Sequence, residues 1–317
     1  MKIIITFWFW AGLHLAAWAQ PRIIQQQKLP GINFDNHRIF LAISGQQGQT
    51  IKFYTDTGGG RIMAQSAVQK MGIEPDTSFV QQGKTVQIVN LAPYFQKQGL
   101  PSPVASQMAV VDFSGESEGL LGASWFANKV WNFDYLNKTL SIVQKLEWPK
   151  VMTKHQINLG FQKDKNGQKT THFPRIPIVI EGDTLQVLLD TGAMANLSNQ
   201  AQKKLNHKVI GASFIVRSIF NQWRQKHPEW LVIEKGNTIF HKGKKMLEED
   251  LIQVPKVTIG GYEVGPVWFA SRRDQNFSQW MSQWMDQKIV GAIGGSGFQY
   301  FQTIIVDYNQ ERAYFKK

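Results

Sequence analysis

Two Asp-Thr-Gly triplets, Asp56-Thr57-Gly58 and Asp190-Thr191-Gly192, stand in this 317-residue chain, each at the end of an apolar run. The chain has no cysteine, which removes thiolate nucleophiles, disulfide frameworks, iron–sulfur clusters and cysteine-based zinc sites together. Chemistry must come from carboxylates, hydroxyls, histidines or lysines. Paired carboxylates are one such chemistry. Held about 3 Å apart they cannot both ionise, so they share one proton and their apparent pKa values separate. The ionised member can take a proton from water while the protonated one hydrogen-bonds a carbonyl. Competing motifs are missing: the sequence has no His-Glu-x-x-His, Gly-x-Ser-x-Gly or Walker loop, and Gly58-Gly59-Gly60 alone is a weak phosphate-loop signal.

The elements that must position Asp56 and Asp190 repeat along the chain. Ile39–Gly45 leads into Ile51–Gly59, and Ile176–Gly182 leads into Leu185–Ala193. Each is an apolar strand, a glycine-marked turn and a second apolar strand ending in Asp-Thr-Gly, the pattern of a β-hairpin. Short helical stretches follow at Ala64–Gly72 and Leu197–Leu205, the latter with Ser198 at the N-cap position. The halves also end alike. Gly119-Leu-Leu-Gly122 precedes Phe126 and Asp134-Tyr135, while Gly291-Ala-Ile-Gly294 precedes Phe298 and Asp307-Tyr308. The order of landmarks predicts two homologous lobes, 20–150 and 155–317, preceded by a leader at 1–19.

Two strand-borne Asp-Thr-Gly motifs, each followed by an apolar-apolar-Gly strand, resemble the aspartic peptidases. The stretches Asp56–Met71 and Asp190–Leu205 look more like the retropepsin-type half than the pepsin type, fused in tandem. The resemblance covers nearly all of the chain after the leader. It implies a mostly β, bilobal fold of two β-barrel-like lobes with short helices, and an aspartic endopeptidase in which Asp56 and Asp190 activate a water as a dyad. It also implies that Thr57 and Thr191 lock the two turns together through buried hydroxyl hydrogen bonds. Gly58 and Gly192 keep the backbone close to the carboxylates, and Gly122 and Gly294 let the neighbouring strands approach. No cofactor or metal is expected. A catalytically silent relative that only binds peptides would carry the same motifs.

Several features stay open at this level. Pepsin-type sites carry a hydroxyl residue after Asp-Thr-Gly, but here Gly59 and Ala193 follow. The charged carboxylates lose that support, so both pKa values are expected to rise and activity to peak at weakly acid to neutral pH rather than strongly acid pH. Ser78–Val89 reads as a hairpin, either the flap of such a cleft or an ordinary surface hairpin. Asp190 to Gly294 spans 104 residues against 66 from Asp56 to Gly122, and the extra length reads as a helical insertion at about 213–250, a lid or a decorative subdomain. Gly260-Gly261 marks a tight hairpin. Phe277, Trp280, Met281, Trp284 and Met285 fall at helical spacing, as core or, if exposed, as apolar subsites.

The first 19 residues carry one charge at Lys2, an apolar stretch Ile3–Ala16 containing His14, and Ala17-Trp18-Ala19. This is the order of a secretory signal peptide cleaved before Gln20, and the stretch is short for a membrane span. The leader implies a secreted or periplasmic protein without stable membrane insertion once it is cleaved, and the resemblance implies a monomer with both half-sites in one chain. Losing Lys2 lowers the formal charge of +12 to +11. The basic residues are scattered rather than striped with aromatics, so nucleic acid is not an expected partner. Peptide or protein substrates are.

Overall fold

The structure, a computed structural model, describes residues 20–81, 83–112, 115–241 and 244–317. The leader read from Met1–Ala19 and the centre of the basic run His241–Lys245 lie outside them. No helix among the described residues is long and apolar enough to cross a membrane. The fold is mostly β and bilobal.

Strand periodicity sets the layers. In Arg175–Ile180 the side chains of Ile176, Ile178 and Ile180 are buried while their neighbours are half-buried, the period-2 pattern of a strand whose two faces meet different surroundings. The first half builds an eight-stranded sheet. Its centre is the strand Thr50–Thr55, flanked by Arg38–Ser44 (antiparallel) and Gly119–Leu121 (parallel). The second half builds a nine-stranded sheet around Asp183–Leu189, flanked by Arg175–Ile180 (antiparallel) and Gly291–Ile293 (parallel). Each Asp-Thr-Gly therefore leaves a central strand beside its apolar-apolar-Gly strand.

A third, six-stranded sheet joins the halves. Arg22–Lys28, Thr139–Glu147 and Val130–Asp134 come from the first, and Thr303–Asp307, Arg312–Lys316 and Gln156–Asn158 from the second. The seam is the antiparallel pair Val130–Asp134 and Thr303–Asp307, in register from Val130↔Asp307 to Asp134↔Thr303. These are the two Asp-Tyr strands of the sequence repeat. Beside the seam, Trp131 is fully buried among Trp125, Phe126 and Phe133, and its indole N–H donates to the Phe126 carbonyl at 2.8 Å.

The halves differ after their Asp-Thr-Gly turns. In the first, Arg61–Ala64 runs antiparallel to Gly119–Leu121 and parallel to Gln107–Val111, then enters helix Gln65–Met71. In the second, the equivalent place in the sheet is held by Ser213–Val216, antiparallel to Gly291–Ile293 and parallel to Val267–Arg272, followed by helix Arg217–Lys226. Helix Asn199–Leu205, capped by Ser198 accepting from the Ala201 N–H, belongs to an excursion between Met194 and Gly211 with no counterpart in the first half. Arg217–Lys226, not the sequence-paired Asn199–Leu205, is the counterpart of Gln65–Met71. Among the described residues of 213–250, read from the sequence as a helical insertion, this is the one helix; Ser213–Val216, Val232–His241 and the first part of Lys244–Val254 are strands of the sheet, and 227–231 is a loop.

That hairpin and the first-half hairpin Thr77–Gln81/Lys84–Asn90 occupy corresponding outer edges of their sheets. Phe79 and Val80 on the latter are exposed. The Gly260-Gly261 turn forms as read, with φ of +53° and +71° joining Val257–Ile259 to Tyr262–Val264. Of the helically spaced apolar residues, Phe277 and Met285 are buried, whereas Trp280 and Trp284 are 73% and 46% exposed.

Truncating Trp131 removes the largest side chain at the seam. We expect Trp131→Ala to cost about 3 to 5 kcal/mol in denaturant unfolding, and Trp131→Phe less, although it leaves the Phe126 carbonyl without its donor.

Candidate functional site

The two aspartates start from equivalent backbone positions. The Asp56 N–H donates to the Leu121 carbonyl at 3.0 Å and the Asp190 N–H to the Ile293 carbonyl at 2.9 Å. Each parallel neighbour strand thus fixes the residue that turns out of the sheet. Gly122 and Gly294 follow those neighbours, where a methyl group would stand 2.0 Å from the Gly60 carbonyl oxygen and 2.2 Å from the Ala212 carbonyl oxygen.

The threonines tie the turns to each other. The Thr57 hydroxyl donates to the Leu189 carbonyl at 2.7 Å and accepts from the Thr191 N–H at 2.9 Å. In return, the Thr191 hydroxyl accepts from the Thr57 N–H at 3.1 Å and donates to the Thr55 carbonyl at 3.4 Å. Thr57 and Thr191 are buried, and unsatisfied buried polar groups are costly, so each turn needs the other. This lock brings the carboxyls face to face. A methyl group on Gly192 would lie 2.1 Å from the Asp56 carboxyl carbon, and one on Gly58 would lie 2.7 Å from that of Asp190. Only glycine fits under the opposite carboxyl.

The electrostatics follow from this enclosure. Asp190 is 8% exposed and Asp56 partly buried. Burial pushes both carboxyls above the ordinary aspartate value, and Asp190, facing the charge of Asp56, is pushed well above it. The two side chains are in hydrogen-bond contact. Opposing the rise, the Gly58 N–H donates to Asp56 Oδ1 at 2.8 Å and the Gly192 N–H to Asp190 Oδ1 at 2.9 Å. The N–H groups of Gly59 and Ala193 close the two turns on the backbone carbonyls of Asp56 and Asp190, at 3.1 Å and 3.3 Å. The arrangement can hold one proton between two oxygens and keep one negative charge supported by backbone donors. The sequence attributed the raised values to missing hydroxyls at Gly59 and Ala193; the larger cause is burial.

All eight sequence-derived residues meet at this lobe junction. Tyr54 was missed. Its hydroxyl donates across the junction to the Gly192 carbonyl at 3.0 Å, and its signal was a polar aromatic two residues before Asp56 on the same strand face. A second unforeseen feature backs Gly294, whose N–H donates to the Ser213 hydroxyl at 3.1 Å, itself bonded to Ser296. Among the described residues no group of three or more His, Cys, Asp or Glu side chains could hold a metal ion.

The chain matches no family model and no curated protein. Among solved structures it is similar to a retropepsin-like aspartic protease from Rickettsia conorii, with 12% identity and a TM-score of 0.29 over 50% of this chain and 89% of that one. It is also similar to conglutin gamma, a basic 7S globulin from lupine seeds, at 8% identity and a TM-score of 0.38, and to basic 7S globulin from soybean, at 8% and 0.37. Both of those alignments cover 92% of this chain and 95% of the other.

Two outcomes follow from the lock and the buried pair. Thr57→Val strips the Leu189 carbonyl of its donor and the Thr191 N–H of its acceptor, and is expected to cost about 2 to 5 kcal/mol in chemical denaturation. Thr191→Val, which breaks the longer 3.4 Å bond, should cost less. The pH dependence has a definite sign. Below the ordinary aspartate value of 3.8 the folded and unfolded chains both hold these protons. As pH rises above it the unfolded chain ionises first, so the pair's contribution to stability falls until the folded carboxyls ionise as well. Asp190→Asn should therefore match the wild type in acid unfolding titrations and exceed it in stability near pH 7.

Proposed function

We propose that the chain is an aspartic endopeptidase in which Asp56 and Asp190 form the catalytic dyad at the junction of two retropepsin-like halves fused in tandem. The reading rests above all on one observation: two carboxyls from different lobes in hydrogen-bond contact, each accepting a backbone N–H from its own turn. In the proposed reaction the ionised carboxyl takes a proton from a bound water as its oxygen attacks the peptide carbonyl carbon. The protonated carboxyl gives its proton to the carbonyl oxygen. Collapse of the tetrahedral intermediate breaks the C–N bond, and the departing amine takes up a proton. Thr57, Thr191, Gly58 and Gly192 support the dyad by fixing the turns, and Gly122 and Gly294 by admitting the adjacent strands. No cofactor is needed, since water is the nucleophile.

The substrate would be a peptide or protein lying between the lobes. The hairpin Thr77–Gln81/Lys84–Asn90 is the candidate flap, and one chain supplies both half-sites, so a monomer suffices. The Met1–Ala19 pattern supports export to the periplasm or exterior.

Peptide-library cleavage by the wild type, Asp56→Asn and Asp190→Asn tests the reading. Each substitution is expected to remove cleavage by at least about 1,000-fold, following the scale for loss of an essential acid or base. Cleavage that survives both would exclude the dyad, and peptide retention without cleavage by the wild type would establish a silent binding protein. With both pKa values raised, the rate should peak at weakly acid to neutral pH rather than at about 2 to 3, near the lower of the pepsin dyad values of about 1.5 and 4.7.

A further inference from the structure

The excursion 194–211, which the first lobe lacks, and the edge strand Val232–His241 enclose an open cavity of about 580 Å³, a volume in the range of ligand sites. Its lining is polar. The carboxamides of Asn196, Asn199 and Gln200 and the ammonium groups of Lys208 and Lys235 line it. None of these side chains has a hydrogen-bond or ion-pair partner among the described residues. Lys203 and Lys204, exposed on the last turn of helix Asn199–Leu205, are likewise unpaired.

The acids that could neutralise these lysines are engaged elsewhere. Glu234 and Asp250 pair with Arg224, and Asp250 also accepts the Lys235 backbone N–H at 2.8 Å. Glu249 is buried between Asn237 and Arg272, and Glu248, the acid in the lining, is itself partnered. The strand also bends to present Lys235. Its pairing jumps from Ile233↔Leu251 to Asn237↔Glu249, so Glu234, Lys235 and Gly236 stand opposite Asp250 alone. Bulges of this kind re-aim side chains. Lys235 is held at φ +50°, a left-handed conformation that side chains other than glycine's seldom adopt. The Gly236 carbonyl accepts the Ser198 N–H at 2.9 Å, which ties the bulge to the start of the helix.

These groups select a ligand chemistry. A carboxamide offers a donor and an acceptor in one plane, the same pair as a peptide group, so Asn196, Asn199 and Gln200 complement an extended main chain. The lysines complement carboxylates. Val232–His241 is the outermost strand of its sheet, and its outer edge meets only the Leu197–Ser198 backbone; such edges accept a further extended segment. No aromatic ring stands among the described lining residues to stack on a sugar. Asn196 follows Asp190 by six residues, which places it no more than about 20 Å from the dyad. Building on the peptidase reading, we propose that this cavity is a second substrate site for an acidic peptide segment, whose near end lies about six residues or fewer from the bond held at the dyad.

Fluorescence anisotropy with the full chain tests this, using two labelled peptides of equal length, one rich in Glu and the other with Gln in the same places. The acidic peptide is expected to bind about ten-fold more tightly at low ionic strength, the sum of a few exposed ion pairs, and to lose that advantage as salt rises. The double variant Lys208→Glu/Lys235→Glu should reverse the preference toward a Lys-containing peptide. Lys208→Gln/Lys235→Gln, expected to abolish it, serves if the charge-reversed chain fails to fold. Equal affinity for the two peptides, or a preference that survives both variants, overturns the inference. So does tighter binding of a polyuronate through the same lysines, which would make the site one for an acidic glycan. A wild type that binds the acidic peptide through these lysines and cleaves nothing defeats the peptidase reading and keeps the site; cleavage with the same kcat/KM for both peptides in the wild type and the variants does the reverse.

Discussion

The reciprocal bonding of Thr57 and Thr191 is the constraint from which the rest of the site follows. Two hydroxyls and two backbone N–H groups, all buried at the lobe junction, satisfy one another and the carbonyls of Leu189 and Thr55. Neither turn can withdraw without leaving its partner's groups unpaired in a dry place. Once the turns are crossed in this way, each carboxyl must lie over the other lobe's glycine, and the glycines at positions 58 and 192 become steric requirements. The six-stranded sheet fixes the halves independently through the Val130–Asp134 and Thr303–Asp307 pair, so the lock closes between surfaces already held in register.

Burying two carboxyls together is unfavourable, and the fold accommodates it with backbone rather than side-chain donors. Each aspartate carboxyl accepts the N–H of the glycine that follows its threonine, which is possible because the turn bends back on its own carboxyl. Such donors are fixed by the turn and need no reorganisation when charge moves. The remaining cost is borne by packing. Without cysteine, the junction relies on aromatic bulk such as Trp125, Phe126, Trp131 and Phe133, all essentially inaccessible.

The lobes keep this centre alike while differing around it. The second lobe's excursion 194–211 lays Ala195, Leu197 and Ala201 over Leu251, Trp268 and Ala270, and the segment from Phe277 to Ile289 covers Leu188 and Ala292. The first lobe has neither cover, and places the stacked Phe40 and Tyr54 beside its aspartate instead. Two equivalent carboxyls therefore sit between a polar aromatic wall and an aliphatic one.

The sequence by itself determined what depends on neighbours along the chain. The Asp-Thr-Gly strand ends, the Gly260-Gly261 turn and the Ser198 cap were legible because alternation, left-handed glycines and short capping side chains act over a few residues. The repeated order of landmarks also pointed to two lobes and to the eight residues gathered at their junction. Only the tertiary structure decided the contacts between residues far apart in sequence: Thr57 with Thr191, 134 positions away, and Tyr54 with Gly192, 138 away. It also decided which helix corresponds to Gln65–Met71, since Asn199–Leu205 and Arg217–Lys226 both carry helical patterns and only the sheet order separates them. Phe277 and Trp280 share one apolar pattern yet end on opposite sides of the surface, because burial is set by what packs against a segment and not by its own periodicity.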